Sequence, residues 1–428
     1  MVESAPLLRE YGFIAHRGFE SLPLRQTSFL VLQILKFIQF PFRLIKSFFD
    51  RYIFMNFLLN KELTGLGLQN RLGDDDYLEP LSILMDSLRT EAKLTLFGSF
   101  AVSYLINNQL RTRAKINSSI NSNKMPEPSS PIFIMGLPRS GTTFLFHLLG
   151  LDHDHRSPYF WEILHPQSLS RKNSEGGKMK IQRTDTELLL LNKLIPEMRL
   201  VHPINSNFPE ECTLLTAFGI KSYSYIYIAN IPQYEKYLRT ADFSSGFLWH
   251  SRFLQMLEHS KKPLRWLLKD PNHIEHLPEI LNQYPEAIFI HIHRDPVESL
   301  GSICSVTSKV RAGFSKRVED HEIGNNTLMY WENALNKYLK SRVTIDRNRI
   351  FDLKYQDLVQ NPLRQVQLIY SHFGLKMSPG FEEDIVKFLG ESSKLKKGKH
   401  TYNLEAFGLN KNQIRNKLKL YMEEMIKV

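Results

Sequence analysis

The most constraining feature of this sequence lies between Pro131 and Gly150, where an apolar run leads through a glycine-bracketed loop into a helical pattern. The run Pro131–Met135 is rich in strand formers and bounded by turn residues, which predicts a buried strand. The loop GLPRSG follows, and apolar residues then recur at helical spacing from Thr142 until Gly150. This arrangement aims backbone N–H groups and the positive end of a helix at one point. The segment predicts a phosphate-binding loop; a tight turn without a ligand is the alternative.

This loop differs from the loop that binds nucleoside triphosphates. The nucleotide pattern GxxxxGK[ST] needs a lysine for the terminal phosphates and a hydroxyl for Mg²⁺. Here Thr142 stands at the lysine position after Gly141, and the positive charge lies inside the loop as Arg139. A loop without that lysine suits a single phosphate better than a triphosphate. The sequence therefore predicts a site for one phosphate group.

Strand signals recur downstream at residues 264–268, 287–293 and 349–353. Helical or turn sequence precedes each of them, and strands that alternate with helices predict an α/β fold with a parallel sheet. In such sheets ligands bind at the carboxyl ends of the strands. Lys269, Arg294 and Tyr355 each follow one of these strands. We therefore expect a P-loop-like parallel sheet flanked by helices, with these three residues beside the phosphate loop.

The segment GLPRSGTTFL resembles the 5′-phosphosulfate loop of sulfotransferases, the enzymes that use 3′-phosphoadenosine 5′-phosphosulfate (PAPS). Its arginine is similar to the version found in tyrosylprotein sulfotransferases and bacterial-type sulfotransferases, whereas cytosolic enzymes carry lysine there. The resemblance covers roughly residues 131–407. It implies PAPS as co-substrate, with its 5′ end held by Arg139, Ser140, Gly141, Thr142 and Thr143.

Two downstream segments resemble the part of the family's site that holds the 3′-phosphate of the donor. In HRDPVESLGS, Ser302 follows Arg294 by eight positions, which is the spacing that the family keeps. A guanidinium forms a fork on a phosphate, and a hydroxyl adds one more donor. The segment KLKKGKHTYNLEAF contains Lys397 and Gly398, which resemble a basic loop that closes on the 3′-phosphate. A solvated run of charges is the alternative for this second segment.

The tripeptide KDP that begins at Lys269 resembles the lysine segment of the same enzymes. The resemblance implies that Lys269 contacts the oxygen that bridges the phosphate and the sulfuryl group, where charge builds as the S–O bond breaks. Tyr355 begins YQDLVQNP, which resembles the family's YED-type segment with Gln356 in place of the glutamate. The resemblance implies a contact between Tyr355 and the nucleotide, and it leaves the role of the substituted position open.

Glu162 and His273 are the candidates for the base that takes the proton of the attacking hydroxyl. Glu162 follows the helix of the phosphate loop, where tyrosylprotein sulfotransferases and other membrane-bound relatives place a catalytic glutamate. Its aromatic neighbours are expected to desolvate it. His273 follows Lys269 by four positions, and cytosolic sulfotransferases place a histidine two positions after their lysine. A solvated carboxylate and a helix-start histidine are the structural alternatives.

The composition limits the partners of the chain. The 428 residues carry a net charge of +11, which indicates an anionic partner. No basic run is dense enough for a nucleic-acid footprint, so a polyanionic co-substrate or an anionic membrane surface is favoured. The two cysteines cannot form a disulfide framework, which favours a reducing, cytoplasmic compartment. No spacing of histidine, cysteine and carboxylate residues predicts a metal site.

The N-terminal part of the chain falls outside these motifs. Residues 28–60 are crowded with Phe, Leu and Ile, and polar residues interrupt them at intervals of three and four. No apolar run reaches the roughly 18 residues that a spanning helix needs. The spacing predicts an amphipathic stretch that either packs on the core or lies on a membrane surface. We expect an N-terminal helical extension over residues 1–120 and a sulfotransferase domain over residues 121–428.

Together these features predict a sulfotransferase that moves a sulfuryl group from PAPS to a hydroxyl by in-line displacement, without a metal ion. A sulfuryl group carries less charge than a phosphoryl group, so cationic side chains and loop N–H groups can take the place of Mg²⁺. The acceptor stays open among small-molecule, lipid, carbohydrate and peptide hydroxyls. The alternatives are a nucleotide-dependent kinase and a catalytically inactive, membrane-associated nucleotide-binding protein.

Overall fold

The structure is a computed structural model in which residues 71–122, 127–166, 175–194, 204–258, 263–393 and 403–426 are described. These ranges contain a five-stranded sheet of β1 (Pro131–Gly136), β2 (His155–Arg156), β3 (Arg265–Lys269), β4 (Ile288–His293) and β5 (Ile350–Lys354). The α-helices of the same ranges are α1 (Leu78–Thr90), α2 (Leu96–Ser122), α3 (Thr142–Leu149), α4 (Phe160–Leu164), α5 (Glu175–Leu194), α6 (Thr213–Thr216), α7 (Ser224–Ile228), α8 (Pro232–Thr240), α9 (Ser244–Glu258), α10 (Leu277–Gln283), α11 (Pro296–Phe314), α12 (Asp320–Arg342), α13 (Tyr355–Gln360), α14 (Pro362–His372), α15 (Phe381–Ser393), α16 (Lys411–Lys417) and α17 (Lys419–Tyr421). Short 3₁₀ segments include Pro271–Glu275, which directly follows the end of β3.

Neighbouring strands of the sheet are parallel, in the order β2-β3-β1-β4-β5. The apolar run of β1 explains its central place, because all six of its residues are buried. The predicted α/β fold with a parallel sheet flanked by helices is confirmed. Each of the predicted downstream strands begins one residue later than predicted, and β3 and β5 also end one residue later, whereas β4 ends at the predicted residue. The sequence does not predict β2, because its two residues, His155 and Arg156, form no apolar run.

Side chains of β1 alternate between two apolar clusters, one on each face of the sheet. Phe133 and Met135 belong to the larger cluster, together with residues of α1, α2, α9, α11 and α12. Ile132 and Ile134 belong to the smaller cluster, together with residues of α3, α14 and α15. The loop after β1 therefore leaves the sheet between two packed layers of helices, which hold its position.

The helices that precede β1 pack on the same core as the sheet. Leu84 of α1 and Ile106 of α2 are buried in the larger cluster. The domain boundary predicted between residues 120 and 121 falls near the end of α2 and stays a prediction. The predicted amphipathic stretch, residues 28–60, lies outside the described residues. In the ranges that are described, no helix combines the length and the apolar character needed to cross a membrane.

The register of the sheet brings the carboxyl ends of its strands to one edge. Lys269, the last residue of β3, pairs with Ile134 of β1, and Gly136 at the end of β1 pairs with Ile292 of β4. The ends of β4 and β5 are also level with each other. Because β1 has β3 on one side and β4 on the other, a crevice is expected to open at this edge.

Candidate active site

The loop after β1 has the backbone of an anion-binding site. Gly136, Arg139 and Gly141 have positive φ angles of 149°, 69° and 95°. A Cβ atom at Gly136 would lie 2.6 Å from the carbonyl oxygen of Ile292, and one at Gly141 would lie 2.9 Å from the ring of Tyr355. Both positions therefore require glycine. Backbone that alternates between ordinary and left-handed conformations aims successive N–H groups at one point, and α3 begins immediately after this loop.

Arg294 joins this loop to the ends of β4 and β5. Its Nη1 donates a hydrogen bond of 2.5 Å to the carbonyl oxygen of Arg139. Its Nε and Nη2 donate to one carboxylate oxygen of Glu298, one turn along α11, at 3.0 and 2.8 Å. The guanidinium also lies 4.2 Å from the centre of the Tyr355 ring. The structure thus brings together Arg139, Arg294 and Tyr355, as the sequence predicts.

Two hydroxyls among the predicted donor-binding residues are buried without a hydrogen-bond partner in the described part of the chain. Ser140, in the loop, is 0% exposed, and Ser302, on α11, is 2% exposed. A buried polar group that lacks a partner costs about 1–3 kcal/mol. Phosphate oxygens accept hydrogen bonds from hydroxyls, so both serines fit a site that an anionic ligand completes.

The side chain of Lys269, the last residue of β3, reaches the start of α3, beside the loop. It is 3% exposed, and its Nζ lies 3.4 Å from Oγ1 of Thr143. The same Nζ pairs with the carboxylate of Glu211 and lies 5.7 Å from the centre of the Phe146 ring. A carboxylate partner offsets part of the cost of burying an ammonium. The structure therefore brings Lys269 beside the loop that the sequence predicts to bind phosphate.

Burial and nearby charges shift the pKa values of two groups close to Lys269. Burial and the charge of Glu211 raise the pKa of Asp270 to about 7, against the opposing effects of Lys269 and of hydrogen bonds from Asn272. Burial and the charge of Lys269 lower the pKa of His147, on α3, to about 4. At neutral pH His147 is therefore uncharged and does not compete with Lys269 for an anion.

Glu162 has both carboxylate oxygens engaged. Its Oε1 accepts a hydrogen bond of 2.8 Å from Nη2 of Arg156, and its Oε2 accepts one of 2.9 Å from the backbone N–H of Tyr159. The second bond belongs to a capping box at the start of α4. Glu162 is 5% exposed, so this ion pair is shielded from solvent. In this arrangement the carboxylate of Glu162 fixes the backbone at the start of α4.

His273 lies in the apolar core on one face of the sheet. It is 2% exposed, and its ring packs edge-on against Phe133 with the ring centres 4.8 Å apart. Phe133 precedes Gly136, the end of β1, by three residues, so this contact lies behind the edge where the loop emerges. Burial lowers the pKa of His273 well below its usual value. The structure does not bring His273 together with the loop residues.

The structure also reveals two carboxylates that the sequence analysis does not single out. Glu211 forms an ion pair with Lys269, and Glu298 forms one with Arg294. Glu298 follows Arg294 by four residues on a helix, which is a spacing that predicts an ion pair. Glu211 is separated from Lys269 by 58 residues, and no local pattern predicts their contact. Lys397 and Gly398 lie outside the described residues.

One group of side chains in the described ranges has the composition of a metal site: His291, His293 and Asp352. His293 is hydrogen-bonded through both ring nitrogens, to the Tyr421 hydroxyl at 2.9 Å and to Asp352 at 2.7 Å. Arg342 donates two hydrogen bonds to the same carboxylate. A guanidinium on the carboxylate disfavours a second cation there. This cluster therefore serves as a polar network that joins β4 and β5 to the helices around them.

Comparisons with known proteins agree with this geometry. Residues 131–379 match the profile of the Sulfotransferase family. The curated omega-hydroxy-beta-dihydromenaquinone-9 sulfotransferase Stf3 of Mycobacterium bovis is 28% identical over 255 residues, which are 57% of this chain and 63% of that protein. The chain thus matches less than two thirds of the length of this relative. The Mycobacterium tuberculosis protein of the same name matches to the same extent.

Solved structures extend the comparison beyond the motifs. The crystal structure of sulfotransferase STF1 from Mycobacterium tuberculosis superposes with a TM-score of 0.74 at 27% identity, covering 85% of this chain and 97% of STF1. Sulfotransferase STF9 from Mycobacterium avium has the same fold, with a TM-score of 0.78 at 22% identity, covering 88% of this chain and 98% of STF9. The resemblance predicted from the loop and the downstream motifs is confirmed. The chain belongs to the sulfotransferase family.

Proposed function

We propose that this protein transfers the sulfuryl group of PAPS to a hydroxyl group of an acceptor. The observation that carries the proposal is the contact between the Arg139 loop and Arg294. It is accompanied by the hydroxyls of Ser140 and Ser302, which have no hydrogen-bond partner among the described residues. Two anion sites joined in this way suit a donor that has phosphate groups at both ends of its ribose. Loop N–H groups, Arg139 and Ser140 bind the 5′ end, and Arg294 and Ser302 bind the 3′-phosphate.

Lys269 stabilises the leaving group. As the acceptor oxygen bonds to sulfur, the bond between sulfur and the bridging phosphate oxygen breaks, and its electron pair stays on that oxygen. An ammonium in a nearly dry position interacts strongly with this developing charge. The proximity of Lys269 to Thr143, at the start of α3 directly after the loop, supports this role. The acceptor proton goes to a base.

The acceptor is proposed to be a hydroxyl on a molecule with an apolar body. A cleft is lined mainly by aromatic and aliphatic side chains, including Tyr223, Tyr227, Tyr330 and Trp331. The Tyr330 hydroxyl donates a hydrogen bond of 2.8 Å to Asn272, three residues after Lys269, which ties the cleft wall to the segment behind the lysine. The mycobacterial relative Stf3 carries a hydroxylated dihydromenaquinone in its name, which also supports an apolar acceptor.

The test is an acceptor panel with PAPS labelled in its sulfuryl group. The panel contains hydroxylated isoprenoids, simple phenols, sugars and a tyrosine peptide, and label is expected in the isoprenoid or phenol arm. Lys269→Met should lower kcat by about 10²–10³-fold, while 3′,5′-adenosine bisphosphate still binds. Label in the sugar or peptide arm alone contradicts the apolar acceptor. If wild-type protein neither binds the bisphosphate nor transfers label to any arm, the proposed activity is wrong.

We also propose that the protein is cytoplasmic and associates peripherally with anionic membranes through residues 28–60. The interrupted apolar sequence of this stretch and the net charge of +11 support the proposal. Full-length protein should sediment with vesicles that contain phosphatidylserine, and a chain that starts at residue 61 should stay in the supernatant. Equal sedimentation of the two proteins contradicts the role of this stretch.

A further inference from the structure

We infer that Glu211 is the base that takes the proton from the acceptor hydroxyl; the inference rests on the proposed sulfuryl transfer. A hydroxyl that attacks sulfur must lose its proton, and the group that accepts it must lie within hydrogen-bond reach of the attacking oxygen. Such a base is expected close to the lysine that contacts the leaving oxygen, because the attacking and leaving oxygens flank the same sulfur atom.

The position of Glu211 meets this requirement. Its carboxylate contacts Nζ of Lys269, and that Nζ lies 3.4 Å from Oγ1 of Thr143 at the start of α3. The side chain of Glu211 is 25% exposed, whereas that of Lys269 is 3% exposed. The carboxylate of Glu211 is therefore more accessible to solvent than the ammonium of Lys269. We expect an acceptor that enters from solvent to reach Glu211, and we expect the donor to lie beside the loop.

The backbone around Glu211 is fixed at two places. The N–H of Cys212 donates to the carbonyl oxygen of Lys269 at 3.1 Å, and the N–H of Glu210 donates to the carbonyl oxygen of Pro158 at 3.1 Å. Glu211 thus lies between the end of β3 and the segment that leads into α4. A base held by backbone contacts on both sides keeps its distance from the lysine constant, which a proton transfer requires.

Glu162 and His273, the two bases predicted from the sequence, are less well placed for proton transfer than Glu211. The oxygens of Glu162 accept hydrogen bonds from Arg156 and from the N–H of Tyr159. His273 is surrounded by core aromatics and is 2% exposed. The role of either residue as the base remains a prediction, and variants of both are compared with those of Glu211.

Several titratable groups face this site. Lys269 pairs with the carboxylate of Glu211, and Asp270 and Cys212 flank the two partners in the sequence. His147, on α3, interacts electrostatically with Lys269, and Tyr227, on α7, interacts electrostatically with Glu211. Burial holds His147 neutral above a pKa of about 4. Burial raises the pKa of Tyr227 and that of Cys212, so neither ionises near neutral pH.

The pairing of Glu211 with Lys269 couples proton transfer to bond cleavage. The proton of the acceptor hydroxyl moves to a carboxylate oxygen of Glu211 while the new O–S bond forms and the bond from sulfur to the bridging phosphate oxygen breaks. Protonation removes the negative charge that Lys269 had faced. The ammonium is then available to the phosphate oxygen on which the electron pair remains, and its stabilising effect is largest when the charge develops.

The experiment compares Glu211→Gln with Glu286→Gln, which alters an exposed carboxylate just before the start of β4. Glu211→Gln should lower kcat by about 10²–10⁴-fold and should leave the Kd of 3′,5′-adenosine bisphosphate within about threefold of wild type. Wild-type kcat should fall on the acidic side of its pH profile, and this fall should be absent in Glu211→Gln. Added formate should restore part of the activity of Glu211→Ala. Glu286→Gln should behave like wild type.

Two results would overturn the inference. Near-normal kcat in Glu211→Gln excludes Glu211 as the base, and a collapse in Glu162→Gln or His273→Ala would transfer the role to that residue. A large loss of bisphosphate affinity in Glu211→Gln, without formate rescue of Glu211→Ala, would show that Glu211 only positions Lys269. Wild-type protein that transfers no sulfuryl group contradicts the proposed function instead, and this outcome is seen before any variant is compared.

Discussion

Replacement of Arg294 by alanine should weaken the binding of 3′,5′-adenosine bisphosphate, the product that PAPS leaves after transfer. The guanidinium is held by the carbonyl oxygen of Arg139, by Glu298 and by the face of Tyr355. Its side chain is only 10% exposed, so a hydrogen bond from it to a phosphate forms largely away from water. Hydrogen bonds to charged groups contribute about 1.5–3 kcal/mol each, and a guanidinium can form two of them on one phosphate.

The competing ion pair reduces this gain. The carboxylate of Glu298 is 57% exposed, and ion pairs of this kind contribute about 0–1 kcal/mol. Two such hydrogen bonds on the 3′-phosphate, minus this competition, give a net loss of about 2–6 kcal/mol in Arg294→Ala. The corresponding increase in Kd is about 30- to 25,000-fold. Glu298→Gln removes only the competitor, so its Kd should be unchanged or up to about fivefold tighter.

Isothermal titration calorimetry with two ligands isolates the contact. Adenosine 5′-phosphate lacks the 3′-phosphate, so Arg294→Ala should change its affinity much less than that of the bisphosphate. Because Arg294 also supports the loop at Arg139, thermal unfolding of the variant must be measured alongside. Equal affinity of wild-type protein for the two ligands would refute the assignment of Arg294 to the 3′-phosphate. Equal weakening of both ligands in Arg294→Ala would instead assign it to support of the loop.

Three further predictions concern metal independence, core stability and pH. Activity should persist in the presence of a chelator, and a loss that Mg²⁺ restores would favour a nucleotide-dependent kinase. Arg113→Ala should lower the free energy of unfolding by about 3–5 kcal/mol in a denaturant titration, because Arg113 is buried against Trp249 and its loss removes the cationic partner of Asp76. A change below about 1 kcal/mol would contradict this. Burial alone would raise the pKa of Asp352, but hydrogen bonds and charges from its partners lower it. Its contribution to stability is therefore present above the pKa of an unfolded aspartate, near 4, and is lost as the pH falls through the lower folded value. The difference in unfolding free energy between wild type and Asp352→Asn should shrink below about pH 4, and a constant difference down to pH 2 would contradict this.

The sequence determines the phosphate loop and the parallel sheet around it, because both depend on short-range patterns. The buried strand before Gly136, the loop glycines and the helix from Thr142 are encoded within about twenty consecutive residues. The positions of Arg294 and Tyr355 also follow from the sequence, since each comes directly after an apolar strand. Parallel strands of one sheet present their carboxyl ends at one edge, so these residues can be expected together before any coordinates are known.

Only the tertiary structure decides which polar groups meet at that edge and which ones are buried away from it. Glu211 reaches Lys269 because the segment before α6 is hydrogen-bonded to the end of β3, and residues 58 positions apart carry no local signal of such a contact. His273 lies close to Lys269 in the chain, yet the 3₁₀ segment that carries it places its ring against Phe133 in the core. Burial and long-range pairing arise from the packing of the whole chain, and spacing along the sequence does not specify them.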